Sequence, residues 1–327
     1  MKRREWLAMM GAAALLPRAA AAKERTFRIY MATWRGMTDV ERGFQDYLAK
    51  RAVPVEYIWR DAGQERSKLA EFLREIRDTR PDLVYAWGTS ATLGLAGPYD
   101  QPTALPVPLV FALVAQPIAA KIVPRLRGQG RDVTGVYHVA PVGAQLEAMG
   151  AYLPFNSVGV LYNDSETNSA AIVEELRGEM NRRRLRLIEA RFRTDSAGRP
   201  LAEGIEERVH EIAQAGAQWL YLGPDSYLFT QIGRIAAAAA HERLPTFATT
   251  EALLEGSAPV LAGLISRYRS VGEFAAHKAE QILAGGRRAR DVPVETLARF
   301  AFVVRVDVAR GIDVLPPITL FNYAEFR

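Results

Sequence analysis

Between Ser157 and Ser169 an apolar strand stops abruptly in Asn163, Ser165, Glu166, Asn168 and Ser169 before helical spacing sets in. Amides, hydroxyls and a carboxylate at such a turn can hold a small molecule. The crevice of an open parallel sheet lies beyond the carboxyl ends of its strands, and the next helix offers free N–H groups there. The same residue types are ordinary helix N-caps, so a capped, solvated turn is the plain alternative. Other chemistries have weaker support. The four histidines, His138, His210, His241 and His277, are scattered with no pair at helical ligand spacing, which argues against zinc. No Gly-rich loop ends in Lys-Ser/Thr and no Gly-x-Ser-x-Gly turn occurs, so nucleotide chemistry and serine hydrolysis lack their strongest signatures. No catalytic residue, metal or cofactor is expected. One enzymatic alternative stays open: Glu166 and Asp225, expected at one cleft edge, could form the carboxylate pair of a glycoside hydrolase.

The elements that must position these residues alternate. From Arg25 onward short β-branched or aromatic runs are followed by longer helical patterns, the signature of an α/β fold whose parallel sheets are covered on both faces. Strands are expected at 27–31, 53–59, 82–87, 109–114 and 133–137, and again at 158–162, 185–192, 219–222 and 246–248. Thr38 and Glu41 make a capping box, with Val40, Phe44 and Leu48 on one face of the helix that follows. Helices are expected at 142–152, 168–182 and 227–241. Two similar halves in succession imply two lobes with a cleft between them. The last part offers a strand at 259–265, a helix at 271–283 and a strand at 300–306, too little to bury a core unaided. These elements are expected to cross back and complete the lobes as parallel hinge strands.

The chain has 327 residues, 49% of them hydrophobic, too many for one compact core. Lys2, Arg3 and Arg4 precede the apolar stretch Trp6 to Leu16 and the small-residue run Ala19 to Ala22, which reads as a secretory signal peptide over 1–22. Its Arg3-Arg4-Glu5-Trp6-Leu7 order resembles a twin-arginine export signal. Cysteine is absent, which excludes disulfides, thiolate metal sites and lipid attachment through Cys. A freely diffusing periplasmic protein, not lipid-anchored, is expected. Lys2, Arg3, Arg4 and Arg18, against Glu5, supply three of the five net positive charges. The remaining Arg clusters carry no interleaved aromatic residues, so nucleic acid is not an expected partner.

The segments Pro108 to Pro117, Asp132 to Val136 and Val158 to Ser169 follow the order and spacing of the ABC-transporter substrate-binding family that includes the tryptophan-binding TrpX-like proteins. Gly223-Pro-Asp225 and Gly285-Gly286 fall where that family has a turn motif and a helix end. The resemblance covers nearly all of the chain beyond the leader. It implies a type I periplasmic binding protein: two Rossmann-like lobes joined by three crossover segments, with a solute trapped as the lobes close. Lobe 1 is expected to comprise 23–139 and 266–289, lobe 2 140–265 and 290–327. Implied partners are a small-molecule solute, an inner-membrane permease and its ATPase, with the protein itself monomeric and not an enzyme. A periplasmic sensor presenting its closed form to a membrane receptor is the alternative.

Carried over, the family's ligand loops land on Thr89, Ser90, Gln116, the 163–169 turn and Asp225. Thr89 and Ser90 could hold a carboxylate; Asp225 or Glu166 could receive an ammonium group. Trp34, Tyr137, Tyr162 and Tyr227 are aromatic candidates for stacking on a planar solute. The chain departs from the family pattern at Gln116, where an acidic residue normally precedes the proline, and at the turn Thr33 to Gly36. Arg35 in that turn could clamp a carboxylate. The expected solute is therefore carboxylate-bearing, aromatic or amino-acid-like.

Overall fold

The computed structural model describes residues 25–128 and 130–327; the expected leader, residues 1–22, lies outside them. The first sheet contains β1 (Phe27–Thr33), β2 (Val55–Asp61), β3 (Leu83–Trp87), β4 (Leu109–Val114) and β5 (Val133–Tyr137) in the spatial order β2-β1-β3-β4-β5, all parallel. Between these strands run α1 (Asp39–Lys50), α2 (Arg66–Thr79) and α3 (Gly88–Ala96). Strands β3 and β4 are buried throughout, as near-continuous apolar runs in a doubly covered parallel sheet should be.

The second half begins with α4 (Val142–Tyr152) and continues through β6 (Ser157–Tyr162), α5 (Thr167–Arg183), β7 (Arg186–Arg191), α6 (Ile205–Gln214), β8 (Leu220–Leu222), α7 (Ser226–His241) and β9 (Thr246–Ala248). After β10 (Ala262–Ile265) the chain returns to the first lobe as α8 (Tyr268–Leu283). It then re-enters the second as β11 (Ala301–Val304), α9 (Val306–Gly311) and the edge strand β12 (Glu325–Phe326). The second sheet is ordered β12-β11-β10-β9-β8-β6-β7. No helix among the described residues is long and apolar enough to cross a membrane.

Three segments pass between the lobes: 138–141, 266–267, and the stretch from Glu295 to β11. Residues 292–295 stay with the first sheet, since Thr134 Oγ1 donates to the Val292 carbonyl at 2.8 Å and Tyr137 N–H to the Glu295 carbonyl at 3.0 Å. Strand β11 departs from the expected parallel arrangement: it runs antiparallel to β10, with Ala301 opposite Ile265. The cause is topological. Strand β10 ends at the lobe boundary, where the chain leaves, and β11 starts at that boundary, where the chain comes back.

Helix α1 carries the expected capping box, with Thr38 N–H donating to Glu41 Oε2 at 2.7 Å. Glu41 is buried and also accepts the Tyr85 hydroxyl, while the Trp87 indole N–H reaches Thr38 Oγ1 at 3.4 Å. The helix start thus holds the aromatic residue at the end of β3. Helices α1 and α8 pack closely enough that a Cβ on Gly272 would overlap the Val40 carbonyl, and one on Gly43 the Arg269 carbonyl. Gly272→Ala is therefore expected to destabilise the protein by about 1–3 kcal/mol through overpacking. A lowered thermal midpoint reads this out, and an unchanged one would contradict the close approach.

Candidate ligand-binding cleft

The strand ends of both lobes face a shared cleft, the position where doubly wound sheets take ligands. Trp34, Arg35, Trp87, Thr89 and Ser90 line it from the first lobe. Glu166, Asn168, Asp225, Ser226 and Phe229 line it from the second, and His138 and Tyr268 lie where the chain crosses.

The first-lobe wall is electropositive. The Thr33 to Gly36 turn is fixed by Asp61, whose Oδ1 accepts the Gly36 N–H at 2.9 Å and the Thr33 hydroxyl at 3.1 Å. The turn sends Arg35 into the cleft, where its guanidinium carbon lies 4.9 Å from the Trp87 ring centroid and 4.0 Å from that of Phe229. Cation–π attraction favours such stacking. Arg35 spans the lobes, and among the described residues no carboxylate pairs with it. Beside it α3 begins without a side-chain cap, leaving its first N–H groups and the positive end of its dipole open. Gly88, at φ +77°, makes the turn from β3 into this helix. Leu113 is more unusual: a branched side chain at φ +55° on the cleft wall, the kind of backbone strain that collects at functional sites.

The second-lobe wall is acidic, and its carboxylates are bound into the structure. Asp225 caps α7 through the Leu228 N–H at 2.8 Å and also accepts the Asn163 N–H at 2.8 Å and the Ser169 hydroxyl at 2.6 Å. Burial, and then the neighbouring Glu166 charge, push its carboxyl up to about 6. Glu166 accepts both the Ser226 N–H at 2.8 Å and the Ser226 hydroxyl at 2.7 Å. The start of α7 thus carries two anions, whereas the start of α3 opposite carries none. At the crossing, burial pushes the His138 imidazole down to about 4, with the Val114 carbonyl opposing and Arg35 adding to the depression.

Of the residues singled out in the sequence, Trp34, Arg35, Thr89, Ser90, Glu166, Asn168 and Asp225 meet in this cleft. The others lie outside its lining. Asn163 organises its own turn, its Oδ1 accepting the Ser165 hydroxyl at 2.8 Å, and Ser169 is buried behind the wall against Asp225. Gln116 turns away and donates to Glu175 on α5, a bond between the lobes. Tyr162 points to the flank, where its hydroxyl meets Glu189 at 3.3 Å and the Arg191 guanidinium lies over its ring. Tyr227 packs edge-on against Phe192 with centroids 5.0 Å apart. Tyr137 is half-buried against the first core. The aromatic surface of the cleft comes instead from Trp34, Trp87, Phe229 and Tyr268. The strand-end rule could have found Trp87. No local signal marks His138 and Tyr268, which lie 130 residues apart in the chain and have ring centroids 6.2 Å apart in space.

Two α/β lobes crossed three times by the chain, with a cleft formed by strand-end loops of both, have the fold of type I periplasmic binding proteins. The family model for ABC transporter substrate binding protein matches residues 32–325, and the chain belongs to that family, one of solute-binding proteins. A "Tyrosine-binding protein" of Clostridioides difficile (strain R20291) is 25% identical over 236 residues, which are 72% of this chain and 64% of that relative. Among solved structures, a conserved domain protein from Vibrio cholerae has a TM-score of 0.79 at 21% identity, covering 93% of this chain and 100% of that one. An ABC domain from Streptococcus pneumonia in complex with L-Trp has a TM-score of 0.76 at 21% identity, covering 92% and 99%. These structural likenesses carry the fold.

Proposed function

We propose that this protein captures a small carboxylate-bearing organic solute, aromatic or amino-acid-like, in the interlobe cleft and passes it unchanged to the permease and ATPase of an importer. The observation that carries the reading is Arg35, a partly buried guanidinium with no carboxylate paired to it among the described residues, stacked among aromatic rings next to the uncapped start of α3. A desolvated charge without a partner is unfavourable, and a ligand carboxylate offsets that with charge-assisted hydrogen bonds. Trp34, Trp87 and Phe229 offer ring faces and edges to a flat apolar body. Glu166 and Asp225 on the opposite wall favour the positive end of a dipolar solute. The relatives fit this chemistry: one is named for tyrosine and another is in complex with L-Trp, each a carboxylate on an aromatic frame.

In this reading solute lands on one lobe and the other swings about the crossing segments until both walls touch it, so affinity and closure are one equilibrium. The export expected from residues 1–22 places the event in the periplasm. A thermal-shift series tests the reading. A carboxylate solute at about 100 times its dissociation constant is expected to add about 2.7 kcal/mol of stability, and its primary amide nothing. Stabilisation by amides and acids alike, or turnover of a glycoside, would overturn it.

A further inference from the structure

We propose that His138 presents a fixed hydrogen-bond acceptor to the cleft, selecting a solute that carries an N–H or O–H donor in addition to its carboxylate. The inference rests on the carboxylate reading above and narrows it. His138 Nδ1 lies 3.2 Å from the Val114 carbonyl oxygen. A carbonyl can only accept, so Nδ1 carries the ring proton and Nε2 is left with a lone pair. The backbone on which the ring sits is held on both sides: its N–H donates to the same Val114 carbonyl at 3.2 Å, and its carbonyl accepts the Ser266 hydroxyl at 2.6 Å. Tyr268 meets the ring edge-on, its plane at 79°. His138 is 4% exposed and lines the cleft, and no donor among the described residues reaches its Nε2.

An acceptor that faces a cleft is penalised when a solute displaces its water without offering a donor. Of the groups near it, Arg35 is turned into the Trp87 and Phe229 rings and donates no hydrogen bond to the imidazole. The donor is left for the solute to bring, and a solute without one leaves Nε2 desolvated and unpaired. A site built around a polar contact rejects the analogue that lacks it more strongly than an apolar pocket rejects a size difference.

The test compares two matched pairs that differ by one neutral donor on a common acid: 3-phenylpropionate with 3-(4-hydroxyphenyl)propionate, and 1-methylindole-3-acetate with indole-3-acetate. Calorimetric titration of the wild-type protein is expected to favour the donor-bearing member of at least one pair by about 10-fold or more. That preference is expected to collapse in His138→Leu and to persist in His138→Gln, whose side-chain oxygen can still accept. Acids that bind without preference for a donor in any pair, or a preference that survives in His138→Leu, would overturn the role of His138 while leaving the carboxylate reading intact. Should none of the acids bind, the carboxylate reading falls and this inference with it. Where the leucine variant does not fold, His138→Phe, which keeps a flat ring without an acceptor, takes its place in the comparison.

Discussion

Arg35→Met is expected to raise the dissociation constant for a carboxylate solute about 100-fold, since losing one partner of a desolvated charge pair costs about 2–5 kcal/mol. Methionine suits this position because its unbranched chain still fills the gap between Trp87 and Phe229, so the variant removes donors and charge more than packing. The free protein should therefore keep a thermal midpoint close to that of the wild type. Arg35→Lys should fall between the two. An ammonium keeps the charge but lacks the flat fork that stacks between rings and offers parallel N–H groups to a carboxylate. Isothermal titration with one acid across the three proteins reads this out. An unchanged affinity in Arg35→Met would remove Arg35 from the site.

Asp225 and His138 are expected to pull the stability of the protein in opposite directions as the pH falls, each by about 3 kcal/mol. The Asp225 carboxyl rises from 3.8 to about 6 in the folded chain. The folded state therefore binds its proton more tightly, and this contribution is fully present below 3.8 and lost as pH rises through about 6. The His138 imidazole falls from 6.5 to about 4. Its contribution is present above 6.5 and lost as pH falls through about 4. In the wild type the two nearly cancel between pH 4 and 6.5.

Single substitutions expose each effect. Relative to wild type, His138→Gln should gain about 3 kcal/mol on acidification from pH 7 to 4, the Asp225 effect being unopposed, and Asp225→Asn should lose about as much. Asp225→Asn also starts lower, since an amide cannot accept from the Leu228, Asn163 and Ser169 donors as a carboxylate does. Urea unfolding at several pH values measures the slopes. Parallel slopes in all three proteins would contradict the burial assigned to these groups.

What was legible in the sequence follows from which interactions are local. Helix 142–152 and strand 246–248 occur at the expected residues, and the Thr38–Glu41 capping box forms as read. Apolar periodicity and caps act within a few residues of chain. The strand-end rule likewise brought Thr89, Ser90, Glu166, Asn168 and Asp225 to one cleft. The rule says where a turn lies and not which way each side chain in it points. Tyr162 therefore ends on the flank of β6, and Gln116 bonds across to Glu175.

By itself the amino-acid sequence determined the alternation of strands and helices, the two-lobed class and the set of loops that could meet a solute. All of these are consequences of hydrophobic period and turn chemistry. Only the tertiary structure decided that β11 runs against β10, and that Asp225 serves first as a staple for three donors. It alone set Arg35 between rings of opposite lobes and His138 beside Tyr268. Those outcomes depend on contacts between separate elements of the chain, and no local pattern encodes a distance that exists only once those elements are folded and facing each other.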